Sequence, residues 1–336
     1  MPKIICITDD LHTAIDDWYK DYVFGIEDNG NIIENLTWPN NHLKVSHSQK
    51  EQLENIINNS EQKNNSISIN NGYLFYSTPS QIVWAHFLYQ TATKLYEYIN
   101  NFNHYVLLVP KREYNSTHKE IFKIFNITNF ILLEDDTVYN ISSFNKGNYI
   151  DSVITNEFIW LIKNIRSYLQ IPNNINPYRK IYIKRDNIIT FDNDSNEIKK
   201  HKQQMDLRKI LNENELIDRL VEQGFEIITF SSKTFEEKKE ALLNVKIVIS
   251  GMGANCINLF LSNFPQKLIL FGHNRMNFLF DSYYMNIFKI INSDNTQYFW
   301  ETSPVVNENE CIKISSDPCA RPYYVNINKI LELISN

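Results

Sequence analysis

The residues best placed to do chemistry are two glycines, Gly251 and Gly253, at the end of an apolar run. Val245 to Ser250 (VKIVIS) is β-branched enough to read as a buried strand. After the glycines, Ala254 to Leu261 (ANCINLFL) has helical spacing. A strand, a glycine turn and a helix start gather unpaired backbone N–H groups at the strand's carboxyl end, where open α/β sheets hold phosphates. Glycine lets the backbone approach an anion with no Cβ in the way. A tight turn with no ligand has the same local pattern and, taken alone, is the commoner case. Arg185 supplies a second feature, because Lys180 to Arg185 (KIYIKR) reads as a strand ending in a basic pair. A guanidinium there would point into the same crevice and bind a phosphate bidentately. A solvated surface arginine is the plainer reading of any single Arg. Further on, Asn212 caps a helix whose first turn carries Glu213 and Glu215, which leaves Arg208 without a structural reason. His273 to Arg275 follow another strand, either touching a nucleotide or lying on the surface.

The elements that must position these residues alternate. In the C-terminal half, strands are expected at Lys180–Lys184, Phe225–Phe230, Val245–Ser250 and Gln266–Phe271. Helices are expected at Glu213–Gln223, with Gly224 as its C-cap, at Thr234–Leu243 and at Asn255–Leu261. The N-terminal half repeats the pattern less regularly. Short strands at Lys3–Thr8, Tyr22–Ile26, Ser66–Ile69 and Tyr73–Tyr76 flank a polar stretch from Ser46 to Asn65 that reads as a surface helix with a loop. A helix over Ser80–Asn100 follows, with Ile82, Val83, Phe87, Leu88, Leu95 and Tyr98 on one side. Then come strand His104–Pro110, helix Thr117–Phe125, strands Asn129–Leu133, Thr137–Ile141 and Tyr149–Ile154, and helix Thr155–Tyr168. Ile171 to Arg179, with two prolines and three asparagines, is the linker. Two α/β halves joined by one linker imply two facing domains, 1–170 and 171–336, with a cleft between them. A terminal helix is expected over Tyr323–Ile334, packed on the second domain or back on the first.

The bulk numbers bound the partners. At 336 residues, 43% hydrophobic and 21% charged, the chain has a globular composition. A net charge of −6 argues against nucleic acid as the main partner. Asn and Ile are abundant in the manner of an AT-rich coding sequence, so the sequons at Asn35, Asn115, Asn126 and Asn140 carry little weight. Cys6, Cys256, Cys311 and Cys319 form no C-x-x-C pair, which disfavours a structural zinc site. Cys311 and Cys319 are near enough in sequence to bridge, though spacing does not show that they do. No apolar run approaches the roughly 18 residues of a membrane span and no signal peptide is evident. The expectation is a soluble intracellular protein, or a soluble piece of something longer.

Taken in order, IYIKRD, RKILNENEL, GFEIITF and VISGMGANCINLFL resemble the C-terminal domain of glycosyltransferase family 61, which includes β-1,2-xylosyltransferases and O-linked N-acetylglucosaminyltransferases. A weaker match is a helix carrying His86-Phe87 followed by a strand ending in Val109-Pro110, so the resemblance runs from about Ile82 to Phe271. It implies an α/β fold of GT-B type, two Rossmann-like domains with an acceptor-side first domain and the nucleotide sugar on the second. It implies inverting transfer from a UDP-sugar, UDP-xylose or UDP-N-acetylglucosamine, to a hydroxyl of a glycan or glycoprotein, with no cofactor and no essential metal. Carried over, Arg185 and Arg208 contact the diphosphate, and the Gly251–Gly253 turn with Ala254 and the following helix cradles it. Asn258 fills the last motif position, and Asn212 and His273 complete the donor-binding set.

The chain departs from the family pattern in two places. Met252 stands where relatives carry His, and Tyr89 and Gln90 stand where they carry an aspartate after the His. Neither Tyr nor Gln takes a proton near neutral pH, which leaves His86 as the base on that stretch. His86 reads equally as a core histidine, and Glu134, Asp135 or Asp136 at a strand's carboxyl end could serve instead. Loss of the carboxylate also fits a non-catalytic nucleotide-sugar- or carbohydrate-binding protein descended from such an enzyme. Asp192-Asn193-Asp194 mimics a D-x-D metal motif, but it lies in a polar insertion where a solvated loop is the default.

Overall fold

The computed structural model describes residues 3–8, 21–26, 32–35, 47–63, 66–76, 87–111, 114–145, 147, 155–172, 176–185, 209–230, 233–263, 265–277, 285, 296–306, 309 and 321–335. The chain divides into two compact units, Met1–Asn164 and Ile165–Asn336.

In the first unit, strands β1 (Lys3–Thr8), β2 (Asp21–Ile26) and β3 (Ile32–Asn35) form an antiparallel set. It continues into β4 (Ser66–Leu74), β5 (Val106–Pro110), β6 (Phe130–Leu133) and β7 (Val138–Asn145), in the order β3-β2-β1-β7-β4-β5-β6. The last four strands are mutually parallel. Helix α1 (His47–Lys63) confirms the polar stretch as helical. The two strands expected over 66–76 are one. Asn70-Asn71-Gly72 reads as a turn, but Gly72 sits where a Cβ would lie 2.6 Å from Leu108 Cδ1, so the glycine serves close packing between strands. Within the helix expected over Ser80–Asn100, the described part is a π-helical turn at Phe87–Ala92 followed by α2 (Lys94–Asn101). Thr93, at the junction, donates its hydroxyl to the Tyr89 carbonyl at 2.8 Å. The strand expected at Tyr149–Ile154 lies outside the described residues.

Helix α3 (Ser116–Ile124) begins at Asn115, whose side chain accepts from the backbone N–H groups of Thr117 and His118. His118 is fully buried among Phe75, Phe87, Tyr114 and Phe122. Its Nε2 has no hydrogen-bond partner, and burial lowers its pKa from 6.5 to about 4. Helix α4 (Asn156–Tyr168) runs across the division between the units.

The second unit has one five-stranded sheet, β12-β11-β10-β8-β9, parallel throughout. Its strands are β8 (Arg179–Ile183), β9 (Glu226–Ile228), β10 (Val245–Gly251), β11 (Lys267–His273) and β12 (Gln297–Ser303). Helix α5 (Glu213–Glu222) precedes β9, α6 (Phe235–Leu242) precedes β10 and a 3₁₀ helix, Ala254–Leu261, precedes β11. Gly224, at φ +77°, ends α5 with the backbone bonds Gly224 N–H to Val221 and Phe225 N–H to Leu220, as its position predicts. Helix α6 starts on a reciprocal cap between Thr234 and Glu237. One face of the sheet packs Tyr182, Ile249, Ile269 and Phe271 against Leu216 and Leu220 of α5. The terminal helix α7 (Ile327–Ser335) adds Ile330 to the same core. Lys267 donates to the Leu333 and Ile334 carbonyls and so closes the C-terminal end of α7.

The buried His118 makes stability depend on acid. Its folded pKa lies below the unfolded value, so the folded state is favoured above pH 6.5 and loses that advantage as the pH falls toward 4. Urea unfolding at pH 7 and pH 4 will show a loss attributable to this group on the order of 3 kcal/mol. His118→Gln will shrink the pH difference; an unchanged difference refutes the assignment.

Candidate functional site

Counting the second sheet's strands in chain order gives 2-1-3-4-5, so the order reverses between β8 and β10. The chain leaves β8 toward β9 on one side and later enters β10 on the other, which opens a crevice at the carboxyl ends of these two strands. Ile183 pairs with Ser250 and Gly251 with Phe271, so Lys184-Arg185, Gly251-Met252-Gly253 and His273 end on one edge of the sheet. Ser303 of β12, opposite His273, ends on the same edge.

The two glycines differ. A Cβ on Gly251 would meet Ile210 Cδ1 at 3.3 Å, Phe271 Cε2 at 3.4 Å and the Tyr323 hydroxyl at 3.6 Å, so a side chain larger than a methyl would be overpacked here. A Cβ on Gly253 would meet nothing within 4 Å. Its backbone is extended, a conformation open to any residue, so neither packing nor φ requires glycine there.

The helix after the turn is 3₁₀, not α, with Cys256 N–H bonded to the Gly253 carbonyl at 3.0 Å. Cys256 is fully buried and its thiol faces the Ser250 hydroxyl at 3.6 Å and the Gly251 carbonyl at 3.5 Å. Burial pushes that thiol's pKa up, so it acts as a neutral donor holding the turn. Asn258 is buried and donates to the Asn255 carbonyl at 3.1 Å. At the far end, Arg166 Nη1 donates to the carbonyls of Phe260 at 2.5 Å and Ser262 at 2.6 Å, placing a cation where the helix ends.

A polar cluster backs the crevice. The Tyr182 hydroxyl donates to Glu213 Oε1 at 2.7 Å. Burial first, and then the Glu213 charge, raise the Tyr182 pKa. The ring of His273, fully buried, meets the Tyr323 ring edge-on with centroids 5.4 Å apart. Tyr323 is raised by burial, with the Arg185 charge pulling the other way and the charge of Glu213 adding to the rise. Tyr182 with Glu213 and Tyr323 with His273 therefore pack in one core behind the carboxyl ends of β8 and β10, and Arg185 follows β8 on the same edge of the sheet.

Asn212 corrects its expected role. It makes no cap bond to α5; its amide instead donates to the Val325 carbonyl at 2.9 Å and accepts from Val325 N–H at 2.8 Å. This two-point pairing with a segment 113 residues away satisfies both ends of the amide better than one local N–H would. Arg208, His86, Asp192 and Asp194, and the Cys311–Cys319 question, lie outside the described residues, as does the Ala254 side chain. In the first unit, Glu134 is exposed and paired with Lys111 at 2.6 Å, Asp136 is exposed and Asp135 is half-buried. Tyr89 and Gln90 are buried in the π-helical turn. Among the described residues no helix is long and apolar enough to cross a membrane. Tyr182 and Tyr323 were not singled out from the sequence. Tyr182 carried a signal, a hydroxyl within an otherwise apolar stretch of strand; Tyr323 carried none.

The glycines supply a test of these assignments. Gly251→Val will destabilise the protein by about 1–3 kcal/mol through overpacking, whereas Gly253→Ala will melt within about 1 °C of the parent. Thermal unfolding of both variants checks this, and the reverse order would overturn it.

The family model for Glycosyltransferase 61 matches residues 84–269, which takes in β8, β9, β10, the glycine turn, Tyr182, Arg185 and Glu213, but not His273 or Tyr323. No curated protein compared with the chain matches it. Spanning more than half of the chain, the match shows that this protein belongs to glycosyltransferase family 61 and is, in general terms, a glycosyltransferase.

Proposed function

We propose that the chain moves a sugar from a UDP-sugar, with UDP-xylose or UDP-N-acetylglucosamine as donor, to a hydroxyl of a glycan or glycoprotein. The transfer inverts the anomeric centre and needs no essential metal. In this reading the two units are the lobes of a GT-B enzyme, with the acceptor on the first and the donor on the second. The observation that supports it is that Arg185 and the Gly251–Gly253 turn follow the carboxyl ends of neighbouring strands where the strand order reverses.

That arrangement suits the chemistry. As the glycosidic bond to the diphosphate breaks, the leaving UDP gains negative charge on its terminal phosphate. A fixed guanidinium and the first backbone N–H groups of a helix stabilise this charge as it develops. Arg208 adds a second cation from the stretch leading into α5. The bare Cα of Gly253 lets a phosphate oxygen reach the backbone of the turn, which accounts for a glycine that packing does not require. Asn258 and Asn212 act behind the site, the first within the 3₁₀ helix and the second through Val325. The attacking hydroxyl gives up its proton to a base on the first unit, His86 or one of the carboxylates after β6.

Titration calorimetry with UDP tests the donor site. The parent protein will bind UDP in the micromolar range or tighter, and Arg185→Ala will weaken binding by about 100-fold, the loss of a charge-assisted contact. Gly253→Val will also lose UDP affinity while keeping its fold. Absence of UDP binding in the parent protein, or an Arg185→Ala variant that binds normally, would overturn the proposal. A donor-hydrolysis assay with and without EDTA separately tests metal independence; activity abolished by the chelator contradicts it.

A further inference from the structure

The helix that follows the glycine turn is held from outside its own sequence. Hydrogen bonds in a 3₁₀ helix have poorer geometry than in an α-helix, so runs beyond three or four residues are uncommon. This one, Ala254–Leu261, has eight. Its second half is sealed from solvent, with Ile257 to Leu261 each at most 1% exposed and Ser262 fully buried. Water therefore cannot reach the carbonyls left over at its end, and each needs a partner in the protein. Leu259 accepts from the Ser262 N–H at 3.0 Å and from the Ser262 hydroxyl at 2.7 Å. Phe260 and Ser262 accept from a single nitrogen, Arg166 Nη1, at 2.5 and 2.6 Å.

Arg166 reaches these carbonyls from α4, 94 residues away from Phe260 in sequence. The end of α4 is itself fastened, because the buried Lys239 of α6 donates to the Leu169 carbonyl at 3.3 Å. Phe235, at the start of α6, meets the Phe260 ring edge-on with centroids 6.3 Å apart. Arg166 and Phe235 thus bracket the far end of the 3₁₀ helix. Eight residues at about 2 Å each put about 16 Å between its two ends, so Arg166 acts on a ligand at the turn only through the helix. Drawn into α geometry, at about 1.5 Å per residue, the same eight residues would shorten by about 4 Å. A displacement of about 1 Å at the turn already spoils a hydrogen bond to a phosphate oxygen. We propose that Arg166 is a positioning residue of the donor site: its grip on Phe260 and Ser262 keeps the helix in its 3₁₀ form and so sets the place of the Gly253 turn against the donor's terminal phosphate. This inference rests on reading that turn as a diphosphate site.

The test compares UDP with UMP, which lacks the terminal phosphate, on the full chain. Calorimetry measures UDP, and an NMR titration carried to millimolar concentration measures UMP. Arg166→Met will lower UDP affinity about tenfold and leave UMP affinity within about twofold of the parent. Arg166→Lys, which still brings an ammonium to the same carbonyls, will recover UDP affinity to within about threefold of the parent. A merely structural arginine would move both nucleotides together. Should Arg166→Met not fold, Arg166→Gln, which keeps one donor, carries the same comparison. Equal losses for UDP and UMP, or UDP binding untouched by these variants, overturns this inference alone. A parent protein that does not bind UDP overturns it together with the donor-site reading.

Discussion

The reversal of strand order between β8 and β10 is the constraint on which the rest of the second unit depends. In a parallel sheet every strand points its carboxyl end to the same edge, and the connections that leave neighbouring strands in one direction crowd over it. At β8 and β10 they part to opposite sides, and a crevice follows from topology alone. Whatever stands at positions 184–185 and 251–253 must border it. Family membership makes those positions part of a glycosyltransferase, and their chemistry, a cation opposite a glycine turn, suits a phosphate-bearing donor.

Packing behind the crevice explains how a charged group can be held there. Tyr182, rising from β8 between two isoleucines, meets Glu213 at the start of α5. Glu213 thus serves the helix in two ways, as an acidic residue in the first turn and as the acceptor for a buried phenol. Tyr323 closes the same cluster from the far end of the chain, wedged against His273 and Gly251. Ile210, Phe271 and Tyr323 converge on Gly251, whereas a Cβ on Gly253 would meet nothing within 4 Å. Cys256 and Arg166 hold the two ends of the 3₁₀ helix that follows the turn.

Much of this was legible in the sequence because it is local. The strand–turn–helix over 245–261, the Gly224 terminus and the α5 and α6 boundaries each depend on neighbouring residues, and the family motifs fall on those same stretches. What was not legible is nonlocal. Asn212 has every local mark of a helix cap, yet its amide pairs with Val325, whose presence only the tertiary fold supplies. Gly72 looks like a turn residue, and only the side chains of Leu108 and Ile141 above it show why β4 continues through. Tyr323 reads as the start of a terminal helix and proves to be an extended residue bridged on both sides. Strand β12 (QYFWETS) was overlooked despite its aromatic run, because it is a half-buried edge strand without the unbroken apolar pattern of its neighbours.

The account makes one location decisive, and a structure of the full chain with UDP bound measures it directly. It predicts the diphosphate at the carboxyl ends of β8 and β10, with Arg185 within hydrogen-bond distance of a phosphate oxygen and the backbone at Gly253 facing another. A diphosphate seated elsewhere on the chain, with Arg185 turned away from it, would contradict the account.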